Sequence, residues 1–495
     1  MTSADHHTST AAVGPGEGAA GGPLSPAYRL VTVALVALVT IIAYEALAVA
    51  TAMPRAAEEL DAVVGYGLAF SVMLTAQLLG IVLAGVWADR SGPMPAMYAG
   101  QVLFAVGAAV CALSQSFTLL LVGRAVTGLG AGLVIVVLYV VVGQAYPSRM
   151  RPSVFGYVSA AWVLPSLVGA PLSAWLASSF TWRLVFWVVV PPALFTLVVI
   201  HRQRAALTGG GPGDIEDGRA DGPADGPVAT PTVDRAGNRR AARLGVLVAL
   251  AAGALQLGTY ERFPLLSWQT AVAVLGVVGL LVVTPRLLPT GTLRMARGLP
   301  SVILSRFLLP AAFNGTVTYL PLMITQERHD SLTTAGIVLT VGSLGWSVGS
   351  WVQGRPSMTA HRPALVSVGA AFLMAGCLGL VLVIAAGWTA WLFAGAMVLA
   401  GLGMGLAMTT LSVLLLDLVS PVELGRASAA LQLADVLGSV IGIAAASAVF
   451  AVLHVTGGND ARTYVVIWSG LAGVAAVAVV SGSRCRPRRP RQRSL

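Results

Sequence analysis

Apolar residues fill most of the chain in runs of about twenty, and short polar or charged segments separate the runs. A bilayer core of roughly 30 Å is spanned by about twenty helical residues. Backbone in lipid must satisfy its own hydrogen bonds, and barrel strands would need an alternation that no run shows. The pattern therefore predicts an all-α polytopic membrane protein of fourteen spans, at about 30–53, 65–88, 94–114, 118–143, 152–177, 182–200, 243–259, 267–285, 300–324, 332–353, 363–386, 388–415, 425–453 and 460–482.

The spacing of these runs divides the chain. Six spans come first and six come last, and between them lie a stretch rich in Gly, Asp and Arg and two shorter spans. A stretch of that composition is typical of a linker. The predicted organisation is a disordered cytoplasmic tail at 1–28, a six-helix bundle at 29–200, a cytoplasmic linker at 201–242, two additional helices with their loop at 243–299, a second six-helix bundle at 300–482 and a basic cytoplasmic tail at 483–495.

The two six-span blocks contain matching glycine-rich segments at the same ordinal place. Gly128–Leu133 in the fourth span matches Gly401–Leu406 in the twelfth. Gly85–Trp87 at the end of the second span matches Gly349–Trp351 at the end of the tenth. Two parallel halves of this kind are typical of two-bundle transporters, whose substrate site lies between the halves near the membrane midplane.

The basic residues predict the orientation. The chain carries a net charge of +10, and all of its 30 basic residues are Arg. Most of them fall on the side of the membrane that holds both termini, whereas Arg55, Arg183, Arg262, Arg328 and Arg462 fall on the other. Cytoplasmic loops carry such an excess. Both termini are therefore expected in the cytoplasm, and the charge does not indicate a nucleic-acid partner.

Two ionisable side chains fall inside spans of the first block. Glu45 lies in the first span and Arg124 in the fourth, roughly 12 and 9 Å below the outer surface at the helical rise per residue. Such groups are costly in a membrane, and function is the default hypothesis for them. Burial disfavours a charged carboxylate and a nearby Arg favours it, so Glu45 beside Arg124 is suited to proton coupling. The alternative is a static ion pair that holds the bundle together.

The second block also contains two ionisable side chains. Asp435 lies near the middle of the thirteenth span, and Arg306 lies early in the ninth. Asp435 is a candidate for a second proton-coupling site or for the counter-charge of a cationic substrate. The alternative is a hydrogen bond to a neighbouring helix. Arg306 is expected to extend its guanidinium group to the cytoplasmic surface, as long basic side chains near span ends do.

A glycine-flanked polar turn closes the second span, in Gly85-Val-Trp-Ala-Asp89-Arg90-Ser-Gly92. Glycine permits a tight turn and close helix approach, and an Asp is favourable at a neighbouring helix N-terminus. Contacts of this kind would stabilise one conformation of the protein, and they must break when the protein changes to its other conformation. Gly85, Asp89, Arg90 and Gly92 are therefore predicted to form a conformational gate loop.

The fifth span contains two prolines and a glycine, in Pro165-Ser-Leu-Val-Gly169-Ala-Pro171. Because proline removes a helical hydrogen bond, Gly169 and Pro171 predict either a hinge or a fixed kink. Polar and aromatic residues inside other spans are candidates for the wall of a substrate cavity, with simple packing as the alternative for each. They are Tyr44, Gln77, Trp162, Asn314, Tyr319 and Gln432.

Taken together, these motifs resemble the major facilitator superfamily, and specifically its fourteen-span drug:proton antiporter branch. The likeness covers about residues 30–482. It implies proton-driven export of hydrophobic, often cationic compounds, with the fourth-helix Arg assigned to proton coupling. The matching segments are Glu45 ahead of Ala52-Met-Pro54 for the first-helix motif, Gly85 to Gly92 for the loop motif, Arg124 with Gly128, Gly130 and Gly132 for the fourth-helix motif, and Gly169-Ala-Pro171 followed by Trp182-Arg183 for the antiporter motif.

Some residues depart from the usual pattern of that family. Pro93 and Met94 stand where the loop motif usually continues with basic residues, which implies a thinner cytoplasmic charge network. Ala170 stands where the antiporter motif usually has Gly, and Glu45 replaces the commoner Asp with the carboxyl function intact. Among the related fourteen-span exporters of lipids, one group has a long periplasmic extension near its eleventh and twelfth spans. Here only Gly387-Trp-Thr389 joins those spans, which favours a drug exporter.

The sequence therefore predicts a multidrug efflux antiporter, a secondary transporter that works by alternating access. It is expected to act as a monomer in the bacterial cell membrane, with the proton gradient as its energy source and no cofactor. An exporter of a lipid or a dedicated natural product is the alternative, and a membrane receptor or sensor is a more distant one. An enzyme, a metal site and an ATP-driven pump are not expected, because the ionisable groups in spans are scattered, the three cysteines lack metal-site spacing and Lys is absent.

Overall fold

Every regular element in the described part of the chain is helical. The structure is a computed structural model, and it describes residues 22–26, 28–146, 150–162, 164–204, 235–258, 267–419, 424–455 and 458–486. Two short π-helical segments occur, at Pro165–Gly169 and Met323–Glu327. The α-helices are α1 (Arg29–Glu59), α2 (Tyr66–Ser91), α3 (Pro93–Ala112), α4 (Phe117–Ala145), α5 (Arg151–Ala160), α6 (Ala170–Ser179), α7 (Arg183–Trp187), α8 (Val190–Arg202), α9 (Arg235–Gly258), α10 (Trp268–Leu287), α11 (Leu299–Leu322), α12 (Leu332–Gln353), α13 (Arg362–Ala385), α14 (Leu392–Leu418), α15 (Leu424–Leu453) and α16 (Ala461–Ser483).

Twelve helices among the described residues are long and apolar enough to cross a membrane, and they correspond to twelve of the predicted spans. The fifth span is divided into α5, the segment Pro165–Gly169 and α6. The seventh span corresponds to α9, whose apolar part Arg243–Gly258 is shorter than the others. The predicted helical, multi-span class is thus confirmed. The count of fourteen spans and the cytoplasmic position of both termini stay predictions, and most of the predicted linker and tails lies outside the described residues.

Local sequence signals set several helix boundaries. Ser116 and Ser331 accept hydrogen bonds from backbone N–H groups three residues later, and so cap α4 and α12. Gly92 ends α2 with a φ of 77°, a conformation that costs other residues more. Pro93 begins α3 directly afterwards, at a position where a helix has no use for its missing N–H. The tight turn between α2 and α3 therefore follows from the Gly-Pro pair.

The repeated glycine segments occupy the same place in both halves. A side chain at Gly128 of α4 would overlap backbone atoms of α2, and one at Gly130 would overlap α3. In the second half, a side chain at Gly401 of α14 would overlap backbone atoms of α12, and one at Gly403 would overlap backbone atoms of α13. Glycine lets helix backbones approach closely where lipid supplies no hydrophobic driving force between helices. The matching contacts show that the two blocks repeat one packing arrangement.

The two halves share a buried core at one end of the bundle, which we call the sealed end. It contains the loop after α1 and the loop before α12. Its apolar cluster joins Met53 and Tyr66 of the first half to Tyr319, Ile324 and Phe450 of the second. Towards the other end, the two larger buried clusters each belong to one half, one drawn from residues 28–200 and the other from 288–485, and a smaller cluster at the seam joins α2 to α15. The halves therefore meet at the sealed end and have their own cores at the opposite end.

The inserted helices α9 and α10 lie beside the seam between the halves. Leu78 of α2, Val248 of α9 and Leu437 of α15 belong to one buried cluster. Gln256 of α9 is buried, and its Nε2 donates to the Thr75 hydroxyl of α2 at 2.7 Å. This polar contact in an apolar environment fixes α9 to the first half, while the apolar cluster extends over the seam to the second.

Candidate functional site

A fully buried ion pair lies in the first half. Arg124 of α4 donates through Nη1 to Oε1 of Glu45 on α1. It also donates through Nε to the carbonyl oxygen of Ala69 on α2, at 2.9 Å. Glu45 is 0% and Arg124 is 2% exposed. One guanidinium group therefore joins three helices, and the structure brings together the two side chains that the sequence placed at similar depth.

The carboxylate of Glu45 is only partly satisfied. Its Oε2 is buried, and it forms no hydrogen bond with any described residue. A buried polar atom without a partner costs about 1–3 kcal/mol, and more when it is charged. Protonation would relieve part of that cost, so this oxygen is chemically suited to accept a proton.

The interrupted fifth span packs against α1 close to this pair. The segment Pro165–Gly169 contacts α1, and a side chain at Gly169 would lie 3.6 Å from Tyr44 and 3.7 Å from Ala48. The helix α6 begins immediately afterwards at Ala170, and Pro171 is its second residue. The Tyr44 hydroxyl is buried and lacks a hydrogen-bond partner among the described residues. The predicted hinge or kink is therefore an irregular turn beside the helix that carries Glu45, and its movement stays a prediction.

The second half contains an ion pair of its own. Arg306 of α11 donates to Asp435 of α15 at 3.0 Å and to the Met408 carbonyl oxygen of α14 at 3.1 Å. The expectation that Arg306 extends to the cytoplasmic surface is wrong, because its side chain is 12% exposed and bonded to two other helices. A carboxylate and a carbonyl oxygen lie within reach of the guanidinium group and accept charge-assisted hydrogen bonds from it, so the side chain stays among the helices.

Asn314 belongs to the same polar cluster. Its Nδ2 donates to the Ser439 hydroxyl at 2.9 Å, and that hydroxyl donates to the carbonyl oxygen of Asp435 at 2.9 Å. The Asp435 side chain is 27% exposed, so its carboxylate is accessible from outside the protein core. The structure thus groups two of the predicted residues, Asp435 and Asn314, with an arginine that the sequence analysis had assigned to the surface.

Three other predicted cavity residues, Gln77, Trp162 and Gln432, differ from one another in exposure. Gln77 is half-buried on α2, and its backbone carbonyl faces Gly132 of α4. Trp162 is 41% exposed in the break of the fifth span, and Gln432 is exposed on α15, one turn before Asp435. Their contact with a substrate stays a prediction.

The predicted gate loop is described in part. Gly85 is half-buried near the end of α2, Arg90 is exposed in its last turn, and Gly92 makes the turn into α3. The side chain of Asp89 lies outside the described part of the structure. The charge contacts proposed for this loop therefore stay predictions.

Tyr319 lies in the sealed end. Its ring centroid is 5.6 Å from that of Tyr66 and 5.1 Å from that of Phe450, and His454 stacks on Phe450 at 4.9 Å. Tyr66 and Tyr319 are both fully buried, and they belong to different halves. The sequence analysis did not single out Tyr66, because an aromatic residue at the start of a span gives no signal for a contact between halves.

Two matching helical bundles that share a core at one end, with an ion pair embedded in each, define a membrane transporter of the two-bundle type. The chain belongs to the major facilitator superfamily, since the model of that family matches residues 33–443 and 302–494. The family predicted from the motifs is thereby confirmed. Its members are transporters rather than enzymes.

Curated relatives are transporters of the same superfamily. The multidrug transporter MdtP of Bacillus subtilis is 24% identical over 81% of this chain and 71% of its own length. A triacylglyceride transporter of Mycolicibacterium smegmatis is 28% identical, with 76% of this chain and 67% of its own length covered. An uncharacterized MFS-type transporter of Mycobacterium tuberculosis is 27% identical over 87% of this chain. The match spans 61% of the length of that longer relative.

Solved structures agree on the fold. A peptide transporter crystallised in complex with alafosfalin superposes with a TM-score of 0.65 at 13% identity, over 92% of this chain and 93% of that one. At so low an identity the likeness shows the shared fold alone.

Proposed function

We propose that this protein is a proton-coupled exporter of hydrophobic, often cationic small molecules, that is, a multidrug efflux antiporter driven by the proton gradient. The observation that carries the proposal is the fully buried Glu45–Arg124 pair, in which one carboxylate oxygen has no partner. An ionisable pair at this depth is energetically costly, so function is the default hypothesis for it. Multidrug relatives such as MdtP support the substrate class.

The shared core at the sealed end suggests the conformational state. If both termini are cytoplasmic, the sealed end faces outwards, and the separate cores lie on the cytoplasmic side. A substrate would then enter between the halves from the cytoplasm or the inner leaflet. Asp435, which is partly exposed beside Arg306, would contribute the negative charge that attracts a cation in a medium of low dielectric constant.

The proton step follows when the sealed end opens. Protons from outside reach Glu45, and protonation weakens its attraction to Arg124 because one charge of the pair is lost. Arg124 bridges α1, α2 and α4, so loosening the pair frees α1 to move with respect to the other two helices. The substrate leaves in this state, and loss of the proton to the cytoplasm after the return restores the pair.

A second candidate function is export of a lipid. The specific observation in its favour is the similarity to the triacylglyceride transporter of Mycolicibacterium smegmatis. The buried Glu45–Arg124 pair is compatible with either substrate, because its proposed role is in proton coupling and conformational change. The two functions differ in whether proton movement follows the addition of a soluble drug or of a lipid.

The test uses the purified full chain in proteoliposomes with an imposed pH gradient and a pH-sensitive dye inside. Lipophilic cations and neutral drugs are added to wild type, Glu45→Gln and Glu59→Gln. Glu59 is the matched control, because it lies on the same helix and pairs with Arg183 at 2.5 Å, yet is 46% exposed. We expect drug-dependent proton movement to fall roughly tenfold or more in Glu45→Gln, and to persist in Glu59→Gln.

Two results would count against the proposal. Full pH-driven efflux by Glu45→Gln would remove Glu45 from proton coupling. Proton movement with triacylglycerols, together with no response to any drug in wild type, would identify the lipid exporter instead.

A further inference from the structure

Five exposed arginines form a basic surface at the end of the bundle opposite the sealed end. Among the described residues, no ion pair joins any of them to a carboxylate. The neighbouring stretches of the chain carry no acidic residue either, since residues 262–326 and 461–495 contain no Asp or Glu. The five are Arg286 at the end of α10, Arg294 and Arg297 in the loop before α11, and Arg484 and Arg486 after α16.

The loop that carries two of these arginines is held in a defined shape. The N–H of Gly298 donates to the carbonyl oxygen of Arg484 at 3.0 Å, and the Arg484 side chain donates to the Met295 carbonyl oxygen at 3.4 Å. Thr292 is buried, and its hydroxyl donates to the carbonyl oxygen of Pro289 at 2.7 Å. Folded backbone therefore holds the loop against the end of α16 and places the two groups of arginines together.

An exposed apolar face adjoins this basic surface. Only 11% of the apolar window of α10 is buried, against 39–72% for the other candidate spans. On α10, Leu275 is 68% and Leu281 is 69% exposed, and Leu293 in the basic loop is 65% exposed. Basic groups at the boundary of a span, followed by apolar side chains along the span, match the chemistry of a phospholipid from headgroup to acyl chain.

We propose that Arg286, Arg294 and Arg297 bind the phosphate headgroup of an anionic phospholipid, whose acyl chains lie along α10. Arg286 ends the candidate span, at the depth where a headgroup lies. Guanidinium groups bind phosphate oxygens through paired hydrogen bonds. A second copy of the chain is a poorer occupant, because two such surfaces repel each other.

The site also lies where the inserted helices join the second half. Leu288, just after α10, packs against the core of the second half, whereas Gln256 of α9 is bonded to α2 of the first. The inserted pair thus connects both halves. A lipid bound at the loop would stabilise the attachment to the second half, which Leu288 makes.

The test measures lipid binding to the full-length protein by native mass spectrometry, with phosphatidylglycerol and phosphatidylcholine as probes. The variant is R286Q/R294Q/R297Q. The matched control, R202Q/R243Q/R355Q, removes three exposed arginines from separate segments at the same end. A basic residue near an anionic surface contributes roughly fivefold to binding. We therefore expect phosphatidylglycerol affinity to fall roughly tenfold or more in the variant and less than about twofold in the control.

A charge-conserving variant, R286K/R294K/R297K, separates loss of binding from misfolding, since it should retain most of the phosphatidylglycerol affinity. The proposal is overturned if the glutamine variant binds phosphatidylglycerol as wild type does, if the control loses as much, or if phosphatidylcholine binds equally well. A change in oligomeric mass without a change in bound lipid would show that the surface binds a second copy instead.

Discussion

Arg124→Gln is expected to destabilise the protein more than the double substitution Glu45→Gln/Arg124→Gln. The single change leaves the Glu45 carboxylate buried and unpaired, which costs about 3–5 kcal/mol in buried ion pairs. The double change leaves two neutral amides in the same space. Thermal unfolding of the purified variants in one detergent measures the difference, and equal melting temperatures for Arg124→Gln and the double variant would contradict the prediction, because they would show that the Glu45 carboxylate costs no stability once Arg124 is removed.

Asp435→Asn distinguishes the two roles considered for that carboxylate. If Asp435 attracts cationic substrates, the variant should lose cation export roughly tenfold or more while export of neutral drugs is unchanged, because a charge in a medium of low dielectric constant is selective for the opposite charge. Transport of a cation and of a neutral drug in the same proteoliposomes measures this. Equal loss for both would instead indicate a second proton-coupling site.

Candidate functional residues could be predicted from the sequence where a charged side chain lies in an apolar span. Glu45, Arg124 and Asp435 were found because charges in apolar spans are rare and costly. The partner of Asp435 was missed, since the reach of Arg306 depends on which helices surround it and not on its distance from the span end. Gln256 and Tyr66 were also missed, because an amide or an aromatic residue in a span is unremarkable until its neighbours are known.

At the scale of elements, Gly405→Val should be far more disruptive than Gly395→Val in the same helix. A side chain at Gly405 would overlap backbone atoms of α12, whereas nothing lies within 4 Å of one at Gly395. Overpacking a close contact typically costs about 1–3 kcal/mol, and backbone cannot move aside as a side chain can. Thermal unfolding of both variants tests this, and a Gly405→Val protein as stable as Gly395→Val would contradict the close packing of α14 on α12.

Element positions followed closely from hydropathy, because each span must contain enough apolar residues to cross the lipid. The predicted tenth span at about 332–353 coincides with α12, Leu332–Gln353. The fifth span was predicted as one element and is divided at Pro165–Gly169. Hydropathy cannot show this division, since broken and continuous helices have the same composition and only the prolines indicated a weakness.

For the whole molecule, cross-linking the sealed end should stop transport. Gln326 donates to Glu58 at 3.2 Å across the two halves, so a short bis-methanethiosulfonate reagent should join the halves in E58C/Q326C. Alternating access requires this end to open, so export should fall roughly tenfold or more and recover on addition of a reductant. Export in proteoliposomes before and after reduction is the measurement.

The single substitutions E58C and Q326C are the controls, and these variants should transport normally after the same treatment. The native thiols are all buried, and burial raises the pKa of Cys485 to about 12, so that thiol stays protonated and unreactive. Unchanged export in the cross-linked double variant would show that the halves do not separate at this end during transport.

The sequence by itself determined the helical membrane class, the two repeated blocks, the family and the charged residues worth testing. Each of these depends on composition or spacing along the chain, which the bilayer constrains directly. Only the tertiary structure decided which helices meet between the halves, that Arg306 pairs with Asp435, and that the halves share a core at one end. In lipid the contacts between helices depend on the shapes of the helix surfaces and on local polar groups. Residues far apart in the chain form these contacts, so the pattern along the sequence does not show which of them meet.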